Sequence, residues 1–120
     1  MNTDRELLEA AAKATGVDGE CRTENLCHDG DWSDMTVIFL ADDEGWWGPL
    51  HDDGDALRLA VKLGIDVSHN TFGNVIADHY TLPQKQAVVL AHGIDPCAAT
   101  RRAIVSLAAK LPALRVVGAV

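Results

Sequence analysis

The chain has 120 residues, of which 48% are apolar and 23% are charged, and its formal net charge is −8. This length and composition fit one globular domain with a real core and do not fit a disordered chain. The negative charge disfavours nonspecific binding to nucleic acid, because phosphate repels such a surface. It favours solubility or a basic protein partner instead.

No apolar run in the chain approaches the roughly 18 residues of a membrane span. The polar start has no signal-peptide pattern. The three cysteines are an odd number without a close pair, which argues against a secreted disulfide framework. The sequence therefore predicts a cytoplasmic protein.

Capping signals predict three helices, each with apolar residues at helical spacing behind its N-cap. The start and end signals are Thr3 with Glu6 and Gly16 for the first helix, Asp52 with Asp55 and Gly64 for the second, and Asp95 with Pro96 and Pro112 for the third. In the second helix, Leu57 and Val61 are expected to widen the buried stripe, which consists of Ala56, Leu59, Ala60 and Leu63.

The strongest strand signal covers residues 35–41, where β-branched and apolar residues follow one another. Shorter strands are predicted over residues 65–67, 74–77 and 86–91. Residues 17–34 lack a pattern and predict a loop, with at most a short strand near residues 21–23. The tail, residues 113–120, either frays or covers part of the core.

This order of elements predicts a single α+β domain over residues 1–120. A small, mainly antiparallel sheet is flanked by three helices, as in an α-β-α sandwich. Such a sheet has exposed edges that need a cover, so a homodimer is predicted as well.

Two segments carry a resemblance to a known family. Residues 47–63, WGPLHDDGDALRLAVKL, and residues 95–105, DPCAATRRAIV, resemble segments of small bacteriophage and prophage proteins. With the opening helix, they resemble the phage α-β-α (ABA) sandwich domain. The family pattern has Asn-Pro-Leu-Thr before two acids, whereas this chain has Gly48 for the Asn and His51 for the Thr. The resemblance implies a phage or prophage source and a sandwich fold, and it implies no catalytic residue.

The acidic knot, residues 51–55, admits two interpretations. Asp52, Asp53 and Asp55 carry hard oxygen ligands that Ca²⁺ or Mg²⁺ could use. The residues that follow are helical and mostly apolar, unlike a calcium loop, so a helix cap supported by acids explains the segment better. The metal site stays as the alternative.

Cysteine and histidine placement gives weaker signals. Cys21, Cys27, His28 and Cys97 could supply tetrahedral zinc, but their spacing matches no known finger. No nucleophile signature or phosphate-binding glycine loop accompanies the histidines. The sequence therefore predicts no catalytic residue and no cofactor.

Aromatic and basic residues mark a candidate partner-binding surface. Trp46 and Trp47 lie in a turn that Gly and Pro flank, and two adjacent tryptophans are hard to bury together, so one is an expected interface anchor. Arg101 and Arg102 form the densest positive spot, and His51 departs from the family pattern. These five residues are the predicted partner-binding residues.

The leading functional hypothesis is a non-enzymatic phage or prophage accessory protein of the bacterial cytoplasm that binds a host or phage protein. One alternative is a metal-dependent enzyme or nucleotide-binding protein that uses the acidic knot. A structural component of the virion is the other.

Overall fold

A computed structural model of the chain describes residues 3–42, 45–83 and 86–111. The elements in chain order are α1 (Asp4–Thr15), β1 (Gly19–His28), β2 (Asp31–Leu40), β3 (Trp46–Trp47), α2 (Asp53–Leu63), β4 (Asp66–His69), β5 (Asn74–Asp78), β6 (Val88–Ala91) and α3 (Pro96–Ala108). The predictions about Pro112 and the tail concern residues outside these ranges. None of the helices described is long and apolar enough to cross a membrane.

All three predicted helix starts are confirmed. Thr3 Oγ1 accepts the Glu6 backbone N–H, and the Glu6 carboxylate accepts the Thr3 backbone N–H, which completes the capping box of α1. Asp52 and Asp95 each accept a backbone N–H in the first turn of α2 and of α3. These bonds satisfy amides that a helix start leaves without partners.

A long hairpin replaces the predicted loop over residues 17–34, so that prediction is wrong. β1 and β2 are antiparallel strands of ten residues each, paired from Gly19–Leu40 to His28–Asp31. Asp29 and Gly30 connect them with φ values of 52° and 87°, as a two-residue type I′ turn requires. Most of β1 is exposed, and therefore its sequence lacks the apolar alternation that would have revealed a strand.

The tryptophan pair lies in a strand and not in the predicted turn. Trp46 and Trp47 form β3, which pairs antiparallel with Phe39 and Ile38 of β2. This completes a first sheet of order β1-β2-β3. Two residues are too few to give a periodic signal, which explains why the sequence did not reveal this strand.

The second sheet has the order β4-β5-β6 and is also antiparallel. Its strands match the three short ones predicted from the sequence within a few residues. The predicted α+β class, with three helices and antiparallel strands, is confirmed, while the strands form two small sheets instead of one. α1 packs on β1 and β2, whereas α3 packs on β5, β6 and both other helices.

One face of α2 differs from the prediction. Leu57 and Val61 were expected in the buried stripe, but their exposed fractions are 63% and 74%. The buried residues of α2 are Ala56, Leu59, Ala60 and Leu63. α2 packs chiefly on α3, and the narrower stripe is sufficient for that contact. The helix therefore exposes two large apolar side chains, Leu57 and Val61, to solvent.

The Asp29-Gly30 turn gives a test of the hairpin. Gly30 has a positive φ and no atom near the position of an added Cβ, so Gly30→Ala acts through the backbone alone. We expect a loss of about 1–2 kcal/mol in the free energy of unfolding, the usual cost of a left-handed conformation. Chemical denaturation measures it.

Gly54→Ala is the matched control. Gly54 is helical, and its added Cβ would meet only side-chain ends of Arg58 and Asp52. This variant should be neutral or stabilising, because Ala favours a helix over Gly. Equal losses in the two variants would contradict the type I′ turn.

Candidate functional site

The acidic knot lies where several elements meet. Asp52 Oδ2 accepts the Asp55 backbone N–H at 2.7 Å and caps α2. Asp52 Oδ1 lies 3.0 Å from His28 Nε2, at the end of β1. The carboxylate that starts the helix therefore also holds the tip of the hairpin.

Asp55 fixes the segment that precedes α2. Its Oδ2 accepts the Gly48 backbone N–H at 2.9 Å, and its Oδ1 accepts from Arg58 at 2.7 Å. Only 15% of the Asp55 side chain is exposed, so solvent competes weakly for these bonds. The carboxylate thus connects the residue after β3 to the first turns of α2.

Two arginines connect α3 to the other helices. Arg101 donates to Asp53 at 2.6 Å and, through Nε, to the Leu50 carbonyl at 3.0 Å. Arg102 donates to Asp4 at 2.6 Å, at the start of α1. Both predicted partner-binding arginines are therefore paired with acids of their own chain.

Each of the three carboxylates of the knot has partners in the chain, and Arg58 lies near two of them, 2.7 Å from Asp55 and 3.8 Å from Asp52. Asp52 faces His28, Asp53 faces Arg101, and Asp55 faces Gly48 and Arg58. Within the described ranges, no three or more His, Cys, Asp or Glu side chains are grouped so that they could hold a metal ion. The geometry explains the knot as helix capping and ion pairing.

The thiols of the zinc hypothesis are free and differ in burial. Cys21 is buried in the core, and burial raises the pKa of its thiol. Cys27 and Cys97 are exposed, in β1 and α3 respectively.

His51, the departure from the family pattern, has a structural role. Its Nε2 accepts the Thr36 backbone N–H at 3.2 Å, on the strand that β3 is too short to cover fully. Burial, and next the Arg101 guanidinium, lower the pKa of His51 from its usual value. The side chain therefore works as a neutral acceptor.

Both predicted tryptophan anchors are half-buried. The Trp46 ring meets the His28 ring edge-on at 5.5 Å between centroids. Trp47 packs against the core. Gly48 lies so close to Trp46 and Val37 that an added Cβ would approach them within 2.8 Å. Substitution of either tryptophan would therefore disturb the first sheet as well as any binding surface.

A surface that the sequence did not single out lies between α2, α3 and β4. We call it the apolar groove, and its volume is about 330 Å³. Its apolar lining consists of Ala56, Leu57, Ala60, Val67, Pro96, Cys97 and Ile104, and its polar rim includes Asp53, Arg101 and His69. Apolar concave sites with a few polar groups are typical binding sites. The apolar lining makes the groove a candidate binding site.

The sequence did contain a signal for this groove. Leu57 and Val61 give α2 more apolar surface than one packed face needs, and Leu57 lines the groove. Extra apolar surface on a helix indicates either a second packing partner inside the chain or a binding surface. The signal could not locate the groove, because β4 and α3 come together with α2 only in the fold.

Comparisons with known proteins identify no relative. The chain matches no protein-family model, no curated protein and no solved structure. The resemblance to the phage α-β-α sandwich domain therefore stays a prediction, based on residues 47–63 and 95–105.

Asp55→Ala tests the structural role of the knot. The change leaves the Gly48 N–H without its acceptor, and an unsatisfied part-buried amide costs about 1–3 kcal/mol. We expect a loss of that size in the free energy of unfolding, measured by urea denaturation. Asp18→Ala, at an exposed carboxylate, is the control and should change stability by less than about 0.5 kcal/mol. If both variants behave alike, the knot is not a structural centre.

The lowered pKa of His51 predicts a pH dependence. The unfolded state, with a pKa of about 6.5, binds the proton more readily than the folded state. The contribution of His51 to the free energy of unfolding is therefore fully present above about pH 6.5 and is lost as the pH falls through the pKa of the folded state. His51→Gln keeps an acceptor but cannot titrate, so its unfolding free energy should fall less steeply below about pH 6.5. Identical slopes for the two proteins would contradict this assignment.

Proposed function

We propose that the chain is a non-enzymatic accessory protein of a phage or prophage and that it binds a host or phage protein in the bacterial cytoplasm. The apolar groove between α2, α3 and β4 is the observation that carries the proposal. Its apolar lining would be covered by a partner. The phage assignment rests on the two segments that resemble the α-β-α sandwich domain.

The groove supports this function better than the five residues predicted from the sequence. Arg101 and Arg102 are paired with Asp53 and Asp4, and His51 accepts a backbone amide. A partner would have to break these bonds before it could use the side chains. Leu57, in contrast, already exposes apolar surface in the groove, and burial of that surface would favour association.

The alternative of an enzyme or nucleotide-binding protein finds less support. Each carboxylate of the acidic knot is already bonded to a cation, an imidazole or a backbone amide. Among the described residues, no buried side-chain nitrogen or oxygen lacks a hydrogen-bond partner. The remaining alternative, a virion component, is distinguished by whether the protein copurifies with assembled particles.

Leu57→Glu is the variant that tests the proposal. Glu is a good helix former, and Leu57 is exposed, so α2 should fold normally while a charge enters the groove. We expect the immobilised wild-type chain to retain a specific protein from a bacterial lysate, and the variant to lose at least about nine-tenths of it, a tenfold loss for about 1.4 kcal/mol.

Trp32→Glu is the matched control, because it also replaces a large exposed apolar residue, 70% exposed, on the first sheet. The control should retain the partner. Retention by both variants, or loss by both, would contradict the groove as the binding site. Circular dichroism and thermal unfolding of both variants verify that they fold.

A further inference from the structure

We propose that the partner presents an extended segment, which adds to β4 as a fourth strand of the second sheet. Apolar side chains at alternate positions of this segment enter the apolar groove, and a basic residue lies between them. This inference rests on the proposed function, since it specifies what the groove binds. Three features of β4 carry it: its open edge, the direction of its side chains and its charge.

The first feature is the open backbone edge of β4. The strand lies at the end of the sheet order and pairs on one side with β5. Asn70 N–H donates to the Asn74 carbonyl at 3.0 Å, which fixes the hydrogen-bonded positions of this hairpin. Because such positions alternate along an antiparallel pair, Asp66 and Ser68 bond to β5, whereas Val67 and His69 direct their N–H and C=O groups outward.

Nothing in the described ranges occupies that edge. The backbone hydrogen bonds found there outside regular strands and helices include none from Val67 or His69. An exposed row of donors and acceptors is a template for one more strand. The edge therefore specifies an extended backbone as the occupant.

The second feature is the direction of the side chains of β4. Val67 is opposite Ala77 and His69 is opposite Val75, so all four share one face of the sheet. Val75 and Ala77 are fully buried. α3 packs on β5 and β6, and the same face of β4 lines the groove instead. A strand added beside β4 would therefore project every second side chain between β4 and α2.

The groove has the shape and chemistry to receive those side chains. Leu57 forms the wall on the α2 side, and Ala60 and Ile104 lie between the helices. Its volume of about 330 Å³ is at the small end of ligand sites, which suits one or two aliphatic side chains better than a folded surface. The helix and the edge strand thus form the two sides of a channel for a single extended chain.

The third feature is charge. On the outer face of the second sheet, Asp66 is directly opposite Asp78. Like charges in this position repel, and a Lys or Arg in the added strand beside Asp66 would relieve the repulsion. The net charge of −8 attracts a basic segment at longer range. The preferred segment therefore alternates apolar residues with polar or basic ones.

The test uses synthetic peptides and the full-length chain. Decapeptides with Val, Ile or Leu at alternate positions and Lys, Ser or Thr between them are screened by fluorescence anisotropy. We expect binders among them, and at least tenfold weaker binding by Leu57→Glu than by Trp32→Glu. Scrambled peptides of the same composition should bind at least tenfold more weakly, because their apolar side chains no longer share a face.

Backbone methylation then tests strand addition directly. The strongest peptide is prepared in two forms, with N-methyl groups at either the odd or the even positions. In an added strand, alternate N–H groups face β4, so one form should lose at least tenfold in affinity and the other should bind nearly as well as the parent. Equal effects in both forms would overturn the inference.

The remaining outcomes are also decisive. If no peptide binds but lysate capture still depends on Leu57, the proposed function holds and the extended segment is wrong. If neither the peptides nor a lysate protein depends on Leu57, both proposals fail. If light scattering shows a dimer that Leu57→Glu dissociates and peptides do not displace, a second copy of the chain occupies the edge, and the inference is overturned.

Discussion

The start of α2 is the point on which the arrangement of the elements depends. A helix start leaves backbone amides without partners, and Asp52 satisfies one of them while its other oxygen faces His28 of the hairpin. Asp55 holds the Gly48 amide, and Asp53 holds Arg101 of α3. These bonds connect the first sheet and α3 to the start of α2. α3 in turn packs on β5 and β6 of the second sheet. Each of the three acids thus has a backbone or side-chain partner in another part of the fold.

Local signals in the sequence predicted the helices and failed for the hairpin. The capping residues and glycines at the helix ends act over three or four positions, so they can be read without the fold. Most of β1 and the first four residues of β2 are exposed, and strands of that kind show no apolar alternation. The Asp29-Gly30 dipeptide was the one local indication of a hairpin. β3 forms because Trp46 and Trp47 pair with β2 in the fold. A two-residue segment carries no sequence pattern that would predict this pairing.

The candidate site was predictable only in part, for a related reason. Sequence reasoning favoured Trp46, Trp47, His51, Arg101 and Arg102, since charged and aromatic residues often bind partners. In the fold, each has a contact of its own within the chain. The apolar groove instead combines ordinary residues such as Leu57 and Val67, which become informative only when α2 and β4 lie side by side. The acidic knot and the apolar groove thus both include residues of α2.

Residue-resolved amide hydrogen exchange of the free protein tests this division most directly. If the acidic knot is the structural centre and β4 is the open edge, the amides of Thr36, Gly48 and Asp55 should be strongly protected, because His51, Asp55 and Asp52 accept from them. The Val67 and His69 amides should exchange nearly as fast as in an unfolded chain. Rapid exchange at Gly48 and Asp55, together with strong protection at Val67 and His69, would contradict the account.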